Sequence, residues 1–169
     1  RASARAGQHR RLMRLSRLDL TRYGRFTDFA LDFGQKPEGA PDFHIIYGPN
    51  EAGKTTAFSA FLDLMFGIEA RSRYDFLHEY KSMQIGGVLE WDGAAHEFSR
   101  VKRNQNSLLG PSGQPVAETG LQGALGGIGR DGYRTMFSLD DDTLEKGGDG
   151  LYRNASNVQP IEANDVQIR

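Results

Sequence analysis

Nine consecutive residues carry the clearest chemistry in this chain: Gly48, Pro49, Asn50, Glu51, Ala52, Gly53, Lys54, Thr55 and Thr56. Gly48-x-x-x-x-Gly53-Lys54-Thr55 matches the pattern GxxxxGK[ST], whose chemistry is the binding of a polyphosphate. Each position has a physical task. Gly48 and Gly53 let the backbone curl so that successive N–H groups point inward at phosphate oxygens. A helix beginning at the loop adds the partial positive charge of its N-terminus. Lys54 is placed to reach the β- and γ-phosphates, and the Thr55 hydroxyl to ligate Mg²⁺. The plainer alternative is an ordinary glycine turn before a helix. Context argues against it, because the loop falls between an apolar run and an amphipathic helix, as the motif requires.

Those flanking elements can be read from periodicity. Phe43 to Tyr47 (FHIIY) is short, apolar and β-branched, which predicts a strand buried on both faces. After the loop, Phe58, Phe61, Leu62 and Met65 fall at i, i+3, i+4 and i+7, predicting a helix with one apolar stripe that stops at Gly67. Upstream, RLSRLDL from Arg14 alternates polar and apolar, with a slip at Arg17-Leu18. TRYGRF reads as a turn at Gly24 and FALDF as a second strand, so the two runs form an antiparallel pair. QKPEGAPD reads as a loop. Residues 68–83 show no clean period and read as loop or short helix. QIGGVLEW and HEFSRVK, joined by Asp92-Gly93, predict a hairpin. NQNSLLGPSGQP reads as a mobile, turn-rich connection, and LQGALGGIGRDGYRTMF as a weak helix diluted by glycine. The acidic SLDDDTLEKGGDG follows. Residues 151–169 show no amphipathic period and read as a tail, as the truncated start of a longer segment, or as foreign sequence.

The whole chain sets bounds. Its 169 residues can hold one domain with a real core. A formal charge of −1 supplies no bulk positive field for nucleic acid or anionic membrane. There is no cysteine, which excludes disulfides and thiolate metal sites and points to a cytoplasmic setting. No apolar run approaches the length of a membrane span. The first 25 residues carry eight arginines against one acid, Asp19. They read either as a basic arm for nucleic acid or as a solvated leader followed by the outward face of a strand. Residues 1–12, which precede Met13, are set apart as a basic flank. Arg100, Lys102 and Arg103 end a strand run and could track a DNA backbone or guard a sheet edge against aggregation. His44, His78 and His96 are scattered, without metal-ligand spacing.

The base-reading Asn-Lys-x-Asp stretch of small GTPases is absent. Arg71 and Arg73 could form the lid of a small-molecule kinase, though arginine is frequent here. The fuller pattern, RLSRLDLTRYGRFTDFALDFG followed by FHIIYGPNEAGKTTAFSAFLDLMFG, resembles the N-terminal lobe of SMC-like coiled-coil ATPases. The branch it is most similar to is the bacterial YhaN type, with SbcC and RecF more distant. GPNEAGKT carries Glu51 where many relatives have glycine. GGVLEWDGAAHEFSRVKRNQNSLL resembles that family's lobe hairpin, and YRTMFSLDDDTLEKGG the segment closing the lobe, so the resemblance spans residues 13–150.

The resemblance implies an α/β fold: a P-loop nucleotide-binding lobe with a mixed β-sheet, a helix after the loop and an additional antiparallel hairpin. It implies ATP and Mg²⁺ as ligands. It implies partnership with the protein's own C-terminal lobe and with a second head in a homodimer, and a process such as DNA repair or maintenance beside a nuclease. Hydrolysis in such proteins needs an acidic motif on a buried strand and a signature loop. MFSLD, ending at Asp140, is a poor match for the first, and ALGGIG at 124–129 lacks the serine of the second. No heptad pattern appears either. The chain is therefore expected to be the N-terminal half of a head, inactive alone. Asp140 falls where relatives carry a glutamine loop and is a candidate Mg²⁺ ligand, with Asp140, Asp141 and Asp142 as solvated helix caps the alternative. Glu51 is expected to point away from phosphate, toward solvent, an arginine or a second copy. Two other classes stay open: a non-catalytic, nucleotide-dependent interaction module and a P-loop small-molecule kinase.

Overall fold

A computed structural model describes residues 13–137, which fall into two compact units, one ending at Ile128 and the other beginning at Gly129. In the first unit, strands β1 (Arg14–Tyr23), β2 (Phe26–Asp32), β3 (Gln84–Trp91), β4 (Ala94–Val101) and β5 (Leu108–Leu109) make one sheet in the order β2-β1-β3-β4-β5. Helix α1 (Lys54–Phe66) packs across β1, β3 and β4. A short helix, α2 (Thr119–Ala124), buries Leu121 and Ala124. The second unit contributes α3 (Arg130–Phe137).

Both hairpins follow from their turn residues. Gly24 takes a φ of +58° between Tyr23 and Phe26, and Asp92 and Gly93 take +51° and +76°. Positive φ at the first central position, as at Gly24, or at both, as at Asp92-Gly93, gives the turns that match the twist of paired strands. The slip in alternation at Arg17-Leu18 also has a structural counterpart. The β1–β3 register shifts between Leu15 and Arg17, so an extra residue is absorbed there and the apolar set returns to one face.

That face carries the core. Leu18, Leu20 and Tyr23 of β1 and Ile85 of β3 bury their side chains with Ala57, Ala60 and Leu64 of α1, joined by Ile68 and Met83. Each large aliphatic group so buried stabilises the fold by roughly 1.5–3 kcal/mol. The helix stripe differs from the periodicity reading. Phe58 and Phe61 are only half-buried, and the small side chains of Ala57 and Ala60 let the helix lie close on the sheet. Gly87 is part of the same close approach. A methyl group there would sit 2.7 Å from the Arg17 carbonyl oxygen and 2.8 Å from Leu64 Cδ2. Gly87→Ala is therefore expected to lower stability by about 1–3 kcal/mol in urea unfolding, since backbone as well as side chain must move.

Four expectations need correction. The sheet is wholly antiparallel rather than mixed. Phe43–Tyr47, expected as a strand buried on both faces, joins no strand among the described residues, and Phe43, Ile45 and Tyr47 are 76%, 71% and 89% exposed. A strand is buried on both faces only when it lies inside a sheet with further layers packed above and below, and no described strand takes this run into the sheet. Its upstream end is nonetheless anchored. The Arg14 guanidinium holds Asp42 at 2.6 Å and its carboxyl below the usual range, and His44 meets the edge of Phe33. Finally, Leu108-Leu109 inside the supposedly mobile connection is a buried strand on β4, too short for any alternation to show. The glycine-diluted helix is two helices, interrupted where Gly126 and Gly127 adopt positive φ. Residues 1–12, the tail at 151–169 and the acidic run with Asp140 lie outside the described residues.

Candidate phosphate-binding loop

The loop at 48–53 leads directly into α1, with Gly53 as the N-cap at a φ of +102°. No side chain caps this end. The first bond across the junction runs from the Ala57 N–H to the Gly53 carbonyl at 2.9 Å. The amides of Lys54, Thr55 and Thr56 precede it, and within the helix they have no carbonyl to meet. Glu51, like Gly53, has a positive φ (+64°), whereas Ala52 between them does not. Such alternation of hand along a chain turns successive N–H groups toward one point and makes an anion-binding nest.

Side chains fix the two walls of the loop. Lys54 Nζ donates to the carbonyls of Gly48 and Pro49, each at 2.8 Å, so the lysine closes the loop from the helix side. The Ala52 N–H bonds the Pro49 carbonyl at 3.2 Å. From the β1–β2 turn, Arg25 donates through Nη1 to the Glu51 carbonyl, and the Phe26 ring lies against Gly53. Gly48, Pro49, Asn50, Glu51, Ala52, Gly53, Lys54, Thr55 and Thr56 thus form one continuous, largely exposed surface. Thr55 is exposed at the helix start, where its hydroxyl is open to a cation or solvent. The Glu51 side chain is likewise exposed, and the arginine beside it meets its backbone rather than its carboxylate.

Gly53 is constrained twice over. A Cβ there would come within 2.4 Å of Phe26 Cζ, and the φ of +102° disfavours any other residue. Gly53→Ala is expected to destabilise the domain by about 2–3 kcal/mol and to displace the loop, read by thermal unfolding and by the amide shifts of 51–56.

Two further tethers set where α1, and hence the loop, stands. Ser59 and Tyr74 hydroxyls meet at 2.7 Å, and Tyr74 stacks on Tyr23 with ring centroids 5.0 Å apart. The Tyr23 hydroxyl donates to the buried Asp63 at 2.6 Å. At the far end of α1, Arg100 is fully buried and donates to the Leu64 carbonyl at 3.0 and 3.1 Å and to the Met65 carbonyl at 3.4 Å. Ser107 and Glu118 hold its remaining nitrogen. These are carbonyls a helix C-terminus leaves unpaired. Lys102 donates to the Ile68 carbonyl at 3.1 Å and lies over the Tyr80 ring. Both roles expected for Arg100 and Lys102, DNA contact and edge protection, give way to internal capping; Arg103 alone of the three is exposed. Nothing in the spacing of the sequence marks a buried guanidinium, because the helix carbonyls it caps lie some 35 residues away.

Other candidates stay apart. His44 and His78 serve local contacts, the latter bonding the Phe26 carbonyl at 2.8 Å, and His96 stacks on Trp91. Among the described residues no group of three or more His, Cys, Asp or Glu could hold a metal, and no helix is long and apolar enough to cross a membrane.

The uncharacterized protein YhaN of Bacillus subtilis (strain 168) is 28% identical over 134 residues, which is 76% of this chain and 13% of YhaN. The chain thus spans a small part of that relative. A family model described as an AAA domain matches residues 13–161, and by that match the chain belongs to the AAA-domain family.

Proposed function

We propose that residues 48–56 bind the triphosphate of ATP with Mg²⁺, and that this domain is the N-terminal lobe of a YhaN-type, SMC-like ATPase head. The observation that carries the reading is the loop itself: Glu51 and Gly53 in left-handed conformation, an uncapped helix start, and Lys54 drawn over the loop by two carbonyls. That donor set fits a polyphosphate. Backbone N–H groups supply direction, the helix N-terminus supplies partial charge, and Lys54 supplies a full one. Thr55 would hold Mg²⁺, which commonly takes one or two protein ligands and completes its shell with phosphate oxygens and water. Bound there, the metal would neutralise charge that develops on the transferred phosphoryl group. The role of Lys54 is to orient and neutralise the phosphates, while the backbone of 51–56 fixes their position.

Hydrolysis is assigned to the head completed by a C-terminal lobe and a second copy, with DNA maintenance beside a nuclease as the process. Support for completion by further chain comes from Phe43, Ile45, Ile46 and Tyr47, apolar side chains exposed immediately before the loop. A strand of the C-terminal lobe laid along this run would cover them and pair its backbone. The 13% coverage of YhaN leaves ample sequence in that relative for such a lobe.

The test is isothermal titration with Mg²⁺ and a non-hydrolysable ATP analogue, with a GTP analogue as competitor, on this chain and on the full-length protein. Micromolar binding by the full-length protein, weakening stepwise from tri- to di- to monophosphate, is the expected result. Binding only in the full-length protein would support completion of the site by the second lobe. Absence of binding in both would overturn the assignment.

A further inference from the structure

We propose that Arg25 is a strap that holds the phosphate nest in shape, and that it does so because residue 51 is not glycine. The inference rests on the reading of residues 48–56 as a phosphate nest and names a residue outside the motif on which the nest depends. The peptide between Glu51 and Ala52 is held at both ends. Its carbonyl accepts from Arg25 Nη1, and its N–H donates to the Pro49 carbonyl. Glu51 itself sits at a φ of +64°, where an L side chain crowds its own backbone. Left to itself, such a residue drifts toward negative φ and turns its peptide, which would swing the neighbouring N–H groups away from a common point. The contact with Arg25 opposes that drift from outside the loop.

The geometry suits the task. Arg25 follows Gly24 in the β1–β2 turn, and its stem passes along Gly53, with Cδ 3.4 Å from where a Cβ would lie. The next residue, Phe26, presses its ring on the same glycine. The turn is itself secured, since the Gly24 N–H donates to the Tyr74 carbonyl at 2.9 Å and His78 bonds the Phe26 carbonyl. The β1–β2 turn is thus a rigid outrigger with an arginine at its tip. Among the described residues no carboxylate holds that guanidinium, and the Glu51 carbonyl is the acceptor it meets. As a positioning residue, Arg25 acts on the phosphate site through the backbone of Glu51.

A specific epistasis follows. Glycine tolerates positive φ, so a chain with Gly at 51 needs no strap. The experiment compares Arg25→Ala, Arg25→Lys, Glu51→Gly and the double change Arg25→Ala with Glu51→Gly. The first readout is amide hydrogen exchange by NMR, without nucleotide. Arg25→Ala is expected to speed exchange at Ala52 about tenfold while leaving the Ala57 amide of α1 and the melting temperature unchanged. Lysine at 25, which can still donate, should restore part of the protection, and glycine at 51 most of it. The second readout is affinity for the Mg²⁺-ATP analogue in the full-length protein, expected to fall about tenfold in Arg25→Ala and to return in the double variant. Unchanged Ala52 exchange in Arg25→Ala overturns the strap. So does failure of Glu51→Gly to rescue, which would mean the guanidinium acts by its charge. General loss of protection with a lowered melting temperature also overturns it. The exchange arm needs no ligand, so its outcome is independent of whether titration shows the loop to bind nucleotide.

Discussion

Replacing Lys54 by alanine is expected to weaken binding of the Mg²⁺-ATP analogue by the full-length protein by about a hundredfold. The side chain gives the loop its one full positive charge, and charge-assisted bonds of this kind are worth about 1.5–3 kcal/mol each. Loss of about 2.7 kcal/mol corresponds to that hundredfold. The same change removes the two bonds to the Gly48 and Pro49 carbonyls, but these lie at an exposed rim where water can replace the donor. Stability of the domain should therefore change by less than about 0.5 kcal/mol. The contrast between a large effect on binding and a small one on unfolding is what the assignment requires. Lys54→Arg keeps the charge but not the compact head that fits between two carbonyls, so its affinity should fall between those of the parent and the alanine variant. A Lys54→Ala protein that bound the analogue as tightly as its parent would falsify the phosphate-loop reading.

The opposite contrast is expected at Arg100. This side chain touches no part of the loop, yet it is fully buried and donates to carbonyls at the C-terminal end of the same helix. Arg100→Met preserves much of the volume and removes every donor. The Leu64 and Met65 carbonyls then lose a charged partner in a place water does not reach, each at about 1–3 kcal/mol, so roughly 3–5 kcal/mol of stability should go. Glu118 is partly exposed and can recover hydration, which keeps the loss from being larger. Arg100→Lys retains a charge but cannot address two carbonyls and Ser107 at once, and should lose about half as much. Urea unfolding measures both. A loss below about 1 kcal/mol for Arg100→Met would show that the cap is dispensable. Any fall in nucleotide affinity should appear only as the domain begins to unfold.

Together the two residues describe how one helix serves as a mount. Its N-terminus is left uncapped and polar, which costs stability but leaves donors for an anion. Its C-terminus is capped from inside the fold by a β4 side chain, which anchors the helix where no ligand has to enter. The core between them rests on Leu18, Leu20, Ile85 and Leu64 meeting over Gly87. The loop can stay exposed because the helix behind it is held elsewhere.

Legibility from the sequence tracked the range of the interaction. The glycine loop before α1, both hairpins and the stop of α1 at Gly67 are local: each depends on residues within a few positions, and glycine or Asp-Gly at a given place leaves the backbone few choices. Even the bulge in β1 was visible as a broken alternation. The family resemblance likewise rested on contiguous motifs. What failed was whatever needed a distant partner. Phe43–Tyr47 has the composition of a buried strand, but burial is supplied by neighbours, and the described residues supply none. Arg100, Lys102 and Arg103 look alike in a basic run, yet one caps a helix, one caps the chain beyond it and one faces water, according to what the fold brings opposite each. Glu51 shows both limits at once. Its sequence position placed it in the loop before α1, while only the structure revealed its left-handed backbone and the arginine at its carbonyl. Short-range sterics and turn chemistry are written in order along the chain, so sequence alone determined the loop and the elements on either side. Burial, capping and strain are relations between segments far apart in sequence, and these only the tertiary structure decided.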